Sequence, residues 1–408
     1  MKKMKKSKKF YWVGMGSVLI LLASLLLSSP SEGASSKVVV NQWNIPFINP
    51  VTGPAAGYGI LFGWCQDQAV NDINAAGGIA GKPLVIEKCD EAMDPTRAAS
   101  CMKKAATDSL AILGPMTSLS IRVALPIAKS AEVMMAVAYS GVDFIKDGRP
   151  WVVTLCRPNE FRSEFDMHNW LEQNPGIKKV VILQLPIIAE WRELAKTHKE
   201  TLEKKGVEVL EIIDVAQGAV DVSSVIIRAL KLKPDGIVTI LMASDTIRVV
   251  RELQNRGFTN TKRIFIHESA DLPELYTMAA QANNALDGCC MGAWAMTPTE
   301  PVGKRLLEGF RKLTGQENAQ KLAWGGAGYY VATYMVKEAI EKTGVTGDPA
   351  KLKEERIKIR DYINSMKDFD SILWGRISVI EGGGFTVPLY FTQIQNSKPV
   401  LITSTVRP

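Results

Sequence analysis

Three hydroxyl side chains stand close together directly after a predicted buried strand. The strand is the short apolar run Leu110–Leu113, and Thr117, Ser118 and Ser120 follow it at the start of a helical pattern. The first backbone N–H groups of a helix have no partner inside the helix and attract anions. The chemistry expected of this loop is therefore binding of a carboxylate, although hydroxyls at a helix start also serve as simple N-caps.

Polar side chains also follow two other predicted strands. Ala138, Tyr139 and Ser140 come directly after Val133–Val137, and Glu268 comes shortly after Ile264–Ile266. A carboxylate just past a buried strand is costly unless it is paired. Glu268 is therefore expected to have a partner, and an internal salt bridge is one alternative.

The elements that must position these side chains are strands that alternate with helices from Lys37 onward. Such alternation predicts parallel sheets built from βαβ units, and about 370 residues suit two such domains. The strand candidates fall into two sets of equal size. They are Val38–Val40, Leu84–Glu87, Leu110–Leu113 and Val133–Val137, then Val180–Gln184, Val207–Ile213, Gly236–Leu241 and Ile264–Ile266.

Three crossover segments are expected between the two lobes. The chain runs extended at Trp151–Pro158, and a return is expected near Gly288–Trp294. Helices near Val302–Leu313 and Gly328–Lys342 then complete the first lobe, and a last strand near Leu389–Ile394 rejoins the second. The predicted fold is α/β, with Rossmann-like lobes at residues 36–157 plus 291–387 and at residues 158–290 plus 388–408. Open parallel sheets bind ligands beyond the carboxyl ends of their strands, so the site is expected in a hinged cleft between the lobes.

The stretch from Asp72 to Pro95 carries a family resemblance. It ends a helix at Gly77-Gly78, runs a strand at Leu84–Ile86 and starts a second helix with Asp94 as N-cap. The order of these residues resembles the leucine/isoleucine/valine-binding family, the amino-acid-type solute-binding proteins of ABC transporters. The resemblance covers the chain beyond its first 34 residues and implies a type I periplasmic-binding-protein fold.

The resemblance also implies roles for individual residues. Ser118 and Ser140 match the two loops that hold the ligand carboxylate, and Glu268 aligns with a glutamate that takes the ligand's α-ammonium. Tyr58 stands where an aromatic residue lines the pocket, with surface packing as the alternative. Ser118 and Glu268 would then reach one zwitterion from opposite lobes, which couples binding to closure.

Several departures from the family pattern leave the side-chain specificity open. Met242-Ala243-Ser244-Asp245 replaces the aromatic residues of branched-chain binders, and Trp191 replaces a tyrosine expected near Glu190. Trp43 and Asn44–Asn49 are interpreted as a lengthened first loop. A large apolar or aromatic solute therefore suits the cleft as well as leucine does. The predicted ligand residues are Tyr58, Met116, Ser118, Ala138, Tyr139, Ser140, Trp191, Ala243 and Glu268.

The first 34 residues have the three-part pattern of a secretory signal peptide. Six lysines precede the apolar run Phe10–Leu27, and small residues follow. A cleavable signal that directs the protein to the periplasm is expected, with an uncleaved anchor as the alternative. The formal charge of +7 comes from 49 basic and 42 acidic residues, and setting this segment aside leaves 43 and 41. Such a balance provides no basic excess for nucleic acid.

Six cysteines in an exported chain suggest disulfides. Cys89 ends a strand and Cys101 lies in the next helix, so this pair could close locally. Cys156 could bridge to Cys289 or Cys290, or all three could remain free thiols. No cysteine or histidine spacing suits zinc, so neither a metal nor a cofactor is expected.

The three histidines, His168, His198 and His267, come with no Gly-x-Ser-x-Gly or His-Glu-x-x-His motif, so an enzyme is not expected. The predicted function is that of a monomeric, periplasmic substrate-binding subunit of an ABC importer. It would deliver an amino acid or a related carboxylate to an ABC permease. The alternatives are a periplasmic sensor that feeds a signalling receptor, and a binder of an aromatic acid or an amide.

Overall fold

The computed structural model describes residues 40–405, except residues 139–144, 294, 296–299, 316–320 and 323. The predicted signal peptide therefore lies outside the described residues. Two large sheets organise the chain, and each is covered by helices. We call the layers around the five-stranded sheet the first lobe and the layers around the seven-stranded sheet the second lobe.

The first lobe contains a parallel sheet with the strand order β2-β1-β3-β4-β5. Its strands are β1 (Trp43–Asn49), β2 (Leu84–Asp90), β3 (Ala111–Leu113), β4 (Met134–Val137) and β5 (Val152–Thr154). The helices that pack in this lobe are α1 (Ala56–Ala75), α2 (Pro95–Ala105), α3 (Ser118–Ser130), α9 (Pro301–Thr314), α10 (Trp324–Thr343) and α11 (Leu352–Asn364).

The second lobe contains a sheet with the strand order β14-β13-β10-β9-β8-β6-β7. Its strands are β6 (Lys179–Gln184), β7 (Glu208–Asp214), β8 (Gly236–Ile240), β9 (Ile264–Ile266), β10 (Cys290–Ala293), β13 (Tyr390–Gln395) and β14 (Lys398–Ser404). Its helices are α4 (Asn159–Gln173), α5 (Ala189–Lys204), α6 (Ser223–Lys231), α7 (Ala243–Asn255) and α8 (Pro273–Gln281). A separate two-stranded sheet pairs β11 (Phe369–Asp370) with β12 (Arg376–Ile377).

The second sheet is not wholly parallel, because its last two strands run antiparallel. Asn396 and Ser397 join β13 to β14 and have φ angles of 50° and 53°. Two central residues with positive φ make the tight turn that suits a β-hairpin, and a hairpin forces antiparallel pairing. β13 in turn pairs antiparallel with β10. Because β10 spans Cys290–Ala293 and belongs to this sheet, the division predicted between residues 290 and 291 falls inside a strand.

The first strand differs from its prediction. Val40 lies outside any strand, residues 38 and 39 lie outside the described residues, and β1 begins at Trp43. The interpretation of Asn44–Asn49 as a loop was therefore wrong. Asn44, Pro46 and Asn49 are poor strand formers, which hides the element in the sequence. Tertiary pairing overrides that propensity, because β1 is a central strand in register with β2 from Trp43 to Asn49.

Helix α10 approaches α1 closely through glycines that the sequence suggested were a turn. A Cβ atom built on Gly325 would lie 2.3 Å from the ring of Phe62, and one on Gly326 would lie 2.7 Å from Cys65 Sγ. Glycine is therefore required for the two helices to pack at this distance. The close packing holds the start of α1, with Tyr58 and Phe62, beside the space between the lobes.

Cys89 and Cys101 form a disulfide that joins the end of β2 to α2. Cys65, Cys156, Cys289 and Cys290 are buried free thiols. Among the described residues, no helix is both long enough and apolar enough to cross a lipid bilayer.

Candidate solute-binding site

A cleft lies at the carboxyl ends of strands in both sheets. In the first lobe, β1 has β2 on one side and β3 on the other, so the strand order reverses there. In the second lobe, β6 lies between β7 and β8 in the same way. Crevices at such reversals are the usual ligand sites of open α/β sheets. The empty space of the cleft is about 590 Å³, which includes a part open to solvent. It is lined by Tyr58, Phe62, Asn159, Arg162, Glu190, Trp191, Leu194, His267, Glu268, Ser269, Asp271, Leu272 and Gly325.

The serine loop, which we define as residues 117–120 of the first lobe, reaches the cleft at the start of α3. Thr117 caps this helix, and its Oγ1 accepts a hydrogen bond from the backbone N–H of Ser120 at 3.3 Å. Ser118 is the first residue of the helix, and its Oγ donates to Glu190 Oε2 at 3.1 Å. Glu190 belongs to α5 of the second lobe. The Ser118 hydroxyl therefore binds a carboxylate, which the opposite lobe supplies.

The buried carboxylate of Glu91 forms hydrogen bonds that fix the serine loop. The Oγ of Ser120 donates to Glu91 Oε2, and the backbone N–H of Met93 donates to the same oxygen at 3.1 Å. Ser120 also accepts a hydrogen bond from Thr117 Oγ1 at 2.9 Å. Burial raises the pKa of Glu91. These bonds connect the end of β2 to the loop and position Ser118 at the cleft.

Glu268 lies in a 3-10 turn directly after β9 and is paired within its own lobe. Its Oε1 is in direct contact with Nη2 of Arg162, which lies in the first turn of α4. The side chains of Arg162 and Glu268 are only 7% and 5% exposed. The structure therefore realises the internal salt bridge that the sequence left as an alternative for Glu268.

His267 completes this pair as a neutral ring. Burial, with the Arg162 charge as a smaller cause, holds the pKa of His267 well below its usual value. The backbone N–H of Ser269 donates to Nδ1 at 3.1 Å. Nε2 lies 2.8 Å from Glu268 Oε2 and 2.9 Å from Arg162 Nη2. Oε1 of Glu268 thus contacts the Arg162 guanidinium and Oε2 lies near the neutral His267 ring, but neither oxygen accepts a hydrogen bond from a described residue.

We call the surface formed by Arg162, His267 and Glu268 the second-lobe wall. Two further titratable groups are buried behind it. Burial lowers the pKa of His198 to about 3, and its Nδ1 lies 2.7 Å from Ser163 Oγ. Burial also raises the pKa of Asp166 to about 7, against the opposing charge of Arg162. At neutral pH the second-lobe wall therefore carries the Arg162 charge beside groups that are mostly neutral or internally paired.

Aromatic and aliphatic side chains form the other face of the cleft. Tyr58 and Phe62 come from α1, with ring centroids 6.1 Å apart in an edge-to-face arrangement. Burial raises the pKa of Tyr58, so its hydroxyl stays protonated. Trp191 and Leu194 come from α5 of the second lobe. The cleft therefore offers an apolar surface between polar ends, which suits a small organic acid with an apolar body.

A second contact joins the lobes beside the cleft. Lys321 Nζ lies 2.7 Å from the carboxylate of Asp271, and their side chains are 3% and 5% exposed. The hydroxyl of Tyr276 also donates to Asp271, at 2.7 Å. Leu322, the next residue after Lys321, packs in the first lobe, whereas Asp271 follows β9 of the second. The ion pair therefore spans the two lobes.

The structure brings some predicted ligand residues together and leaves others in the cores. Tyr58, Trp191 and Glu268 line the cleft, and Ser118 reaches it through Glu190. Met116, Ala138 and Ala243 are buried in the lobe cores and are not among the lining residues, so their contact with solute stays a prediction. Tyr139 and Ser140 lie outside the described residues.

Sequence reasoning missed Arg162, Asn159 and Asp271 as cleft residues. One sequence signal could have pointed to Arg162, because a cation in the first turn of a helix interacts unfavourably with the helix dipole and therefore suggests a nearby anion. Asp271 had none, since its partner Lys321 is distant in sequence. Within the described ranges, no group of three or more His, Cys, Asp and Glu side chains is arranged to hold a metal ion.

Two α/β lobes with a polar and aromatic cleft between their strand ends define a two-lobed solute-binding protein. The sequence profile of the periplasmic binding protein family matches residues 42–399, and the chain belongs to that family. The family and the fold are those of solute-binding proteins, not of enzymes, and the family implies an extracytoplasmic location.

Individual relatives agree with this assignment. The chain is similar to the Leu/Ile/Val-binding protein BraC3 of Rhizobium johnstonii, with 26% identity over 60% of this chain and 69% of the relative. Its fold matches a leucine-binding protein of Thermotoga maritima, with a TM-score of 0.73, 22% identity, and coverage of 89% and 98% of the two chains. It also matches an ABC-transporter solute-binding protein of R. palustris in complex with 4-hydroxybenzoate, with a TM-score of 0.72, 18% identity, and coverage of 89% and 96%.

Proposed function

We propose that this protein is the extracytoplasmic substrate-binding subunit of an ABC importer and that its solute is a small carboxylate, an amino acid or a related acid. The observation that carries the proposal is the Ser118 hydroxyl, which donates to a carboxylate across the cleft at the N-terminus of α3. A solute carboxylate would take the place of Glu190 at this hydroxyl. Names of similar proteins support both solute classes, since relatives are named for leucine, isoleucine and valine and one neighbour holds 4-hydroxybenzoate.

The mechanism we propose is capture followed by closure. The solute carboxylate binds first at the Ser118 loop, and the solute body packs on Tyr58 and Trp191. The lobes then close through the crossover segments, and the contacts from the second lobe make the closed form more stable. The closed monomer docks on an ABC permease and releases its solute there. Export through the N-terminal signal segment would bring it to the periplasm.

A thermal-shift screen of the refolded protein tests solute capture. The panel contains the twenty amino acids, aromatic acids, dicarboxylates, amides and urea. A ligand at one hundred times its Kd adds about 2.7 kcal/mol to the free energy of unfolding, which moves the Tm by about 2–4 °C. We expect hits among carboxylates only. A charge-assisted hydrogen bond contributes about 1.5–3 kcal/mol, so Ser118→Ala should weaken such a hit by about ten- to a hundredfold.

Ser130→Ala is the matched control, because Ser130 is exposed at the other end of the same helix. A hit among amides or urea that Ser118→Ala leaves unchanged would contradict the carboxylate proposal. Uptake of the identified solute by cells with and without the gene tests the importer role. Loss of a transcriptional response with normal uptake would instead identify a sensor.

A further inference from the structure

We propose that Arg162 determines the specificity of this cleft: by pairing with Glu268 it selects solutes that have a carboxylate but no α-ammonium group. This inference rests on the proposed capture of a carboxylate at Ser118. It adds the chemical class of the solute, an organic acid without an amine, and a residue that decides it.

The charge balance at the second-lobe wall carries the inference. A glutamate that receives an ammonium must offer an uncompensated negative charge. The charge of Glu268 is compensated by the Arg162 guanidinium, which is in direct contact with Oε1. An ammonium placed at Glu268 would also lie beside the guanidinium, where like charges repel.

The pairing does not depend on how the lobes are arranged. Arg162 lies in the first turn of α4, Glu268 lies in the turn after β9, and both elements belong to the second lobe. Hinge opening therefore leaves this pair intact, in contrast to the Ser118–Glu190 contact. Burial of both side chains also strengthens the pair, since water does not screen it.

The same wall still accepts a neutral polar group. A carboxylate has about four lone-pair sites, and neither oxygen of Glu268 accepts a hydrogen bond from a described residue. A solute hydroxyl could donate to Glu268 without disturbing the charge balance. With Trp191 and Tyr58 on the flanks, the favoured solute is an acid with an apolar or aromatic body, with or without a hydroxyl at its far end.

Two other carboxylates that could receive an ammonium line the cleft, those of Asp271 and Glu190. Asp271 is paired with Lys321 and accepts from Tyr276, so its charge is also compensated. Glu190 accepts from Ser118 and is the competing candidate for an ammonium. If Glu190 received it, amino acids would bind more tightly than their deaminated analogues, and Glu190→Gln would abolish that preference.

Matched solute pairs that differ only in the amine test the inference on the wild-type protein. The probes are leucine with 4-methylpentanoate, phenylalanine with 3-phenylpropanoate, and tyrosine with 3-(4-hydroxyphenyl)propanoate. Kd values are measured by calorimetry on refolded protein. We expect the deaminated member of at least one pair to bind at least tenfold more tightly than its amino acid.

Three variants extend the test to the residues. Arg162→Met should shift the preference toward the amino acid by at least tenfold, because it leaves the charge of Glu268 uncompensated. Glu268→Gln should keep the preference for the deaminated acid over its amino acid, because it leaves the Arg162 guanidinium and removes the carboxylate that an ammonium would need. Arg192→Met is the matched control, since Arg192 is exposed on α5. Circular dichroism establishes folding, and if Arg162→Met fails to fold, the wild-type ratio and Glu268→Gln decide.

The outcomes separate this inference from the proposed function. An amino acid that binds as tightly as its deaminated partner, or more tightly, overturns the role of Arg162 and leaves carboxylate capture standing. A Glu268→Gln protein that prefers the amino acid to its deaminated partner also overturns it. If the folded wild-type protein binds none of the six probes and no acid of the wider panel, both proposals are overturned.

Discussion

The hydroxyl of Ser118 donates to Glu190 Oε2 at 3.1 Å, which connects the helix start of the first lobe to α5 of the second. The acceptor is a carboxylate, the chemical group that the loop is expected to bind in a solute. Glu190 and a solute carboxylate would therefore compete for the same hydroxyl. The competition makes Glu190 a residue that lowers the affinity for anions, and this can be tested.

We expect Glu190→Gln to raise the affinity for a carboxylate solute by about tenfold, equivalent to about 1.4 kcal/mol. The amide keeps an acceptor for the Ser118 hydroxyl but removes a negative charge that would repel the solute anion. Calorimetric titration with the acid identified in the thermal-shift screen measures the change. Glu193→Gln is the matched control, because Glu193 lies on the same helix with its side chain 65% exposed. An unchanged or weaker affinity in Glu190→Gln would show that the carboxylate helps rather than competes.

Removal of one partner of the Lys321–Asp271 ion pair is expected to hinder closure of the two lobes. Both side chains are almost wholly buried, and removing one partner of a buried pair costs about 3–5 kcal/mol while the other remains buried. Separation of the lobes lets water reach Asp271, so the cost falls on closure rather than on folding. We therefore expect Lys321→Met to weaken solute binding by at least tenfold with a Tm loss of only about 2–4 °C.

Calorimetry and a thermal melt on the same preparation separate the two effects. Lys342→Met is the control, since Lys342 is exposed on α10. Addition of Asp271→Asn to Lys321→Met should restore part of the affinity, because it removes the unpaired charge. Wild-type affinity in the single variant would refute a closing role for the pair.

The buried His198 predicts a loss of stability in acid. Its pKa is about 3 in the folded protein and near 6.5 when exposed. Between those values the unfolded chain binds a proton that the folded protein does not, so stability falls as the pH drops from 6.5 toward 3. His198→Asn should therefore reduce this loss by up to about 1.4 kcal/mol per pH unit. Urea unfolding from pH 4 to 7 measures it, with the exposed His168→Asn as control.

Asp166 changes the stability in the opposite direction to His198, over an overlapping range of pH. Its pKa is about 7 in the folded protein, against a usual value of 3.8. The folded protein holds the extra proton between these values, so this contribution to stability is full below 3.8 and is lost as the pH rises to about 7. Asp166→Asn should remove that decline, and the same urea series measures it. A curve parallel to that of the wild type would show that the carboxyl titrates at its usual pKa.

The Cys89–Cys101 disulfide predicts sensitivity to reductant. The bridge closes a short loop with a sequence separation of 12. A loop of this size is expected to contribute about 3 kcal/mol by restricting the unfolded chain. We expect a reductant to lower the Tm by several degrees in the wild type and to have no effect on the double variant Cys89→Ser/Cys101→Ser. A reductant effect that persists in the double variant would point to a second disulfide.

The sequence by itself determined the features that depend on local periodicity. The strand at Ile264–Ile266 matches its predicted limits, and the strands at Ala111–Leu113 and Gly236–Ile240 lie within theirs. The helix start at Ser118 was also readable, because hydroxyl caps and apolar spacing are local signals. The class of fold follows from such signals, since strands alternating with helices allow few arrangements.

Only the tertiary structure decided the charge pattern of the cleft. The sheet order brings Arg162 to Glu268, Ser118 to Glu190 and Asp271 to Lys321, and each pair joins residues that are remote in sequence. It also made a strand of Trp43–Asn49, against the propensity of Pro46. A local pattern shows that Glu268 needs a partner, because an unpaired buried charge is costly. It does not show which partner, because that depends on which elements the sheet places side by side.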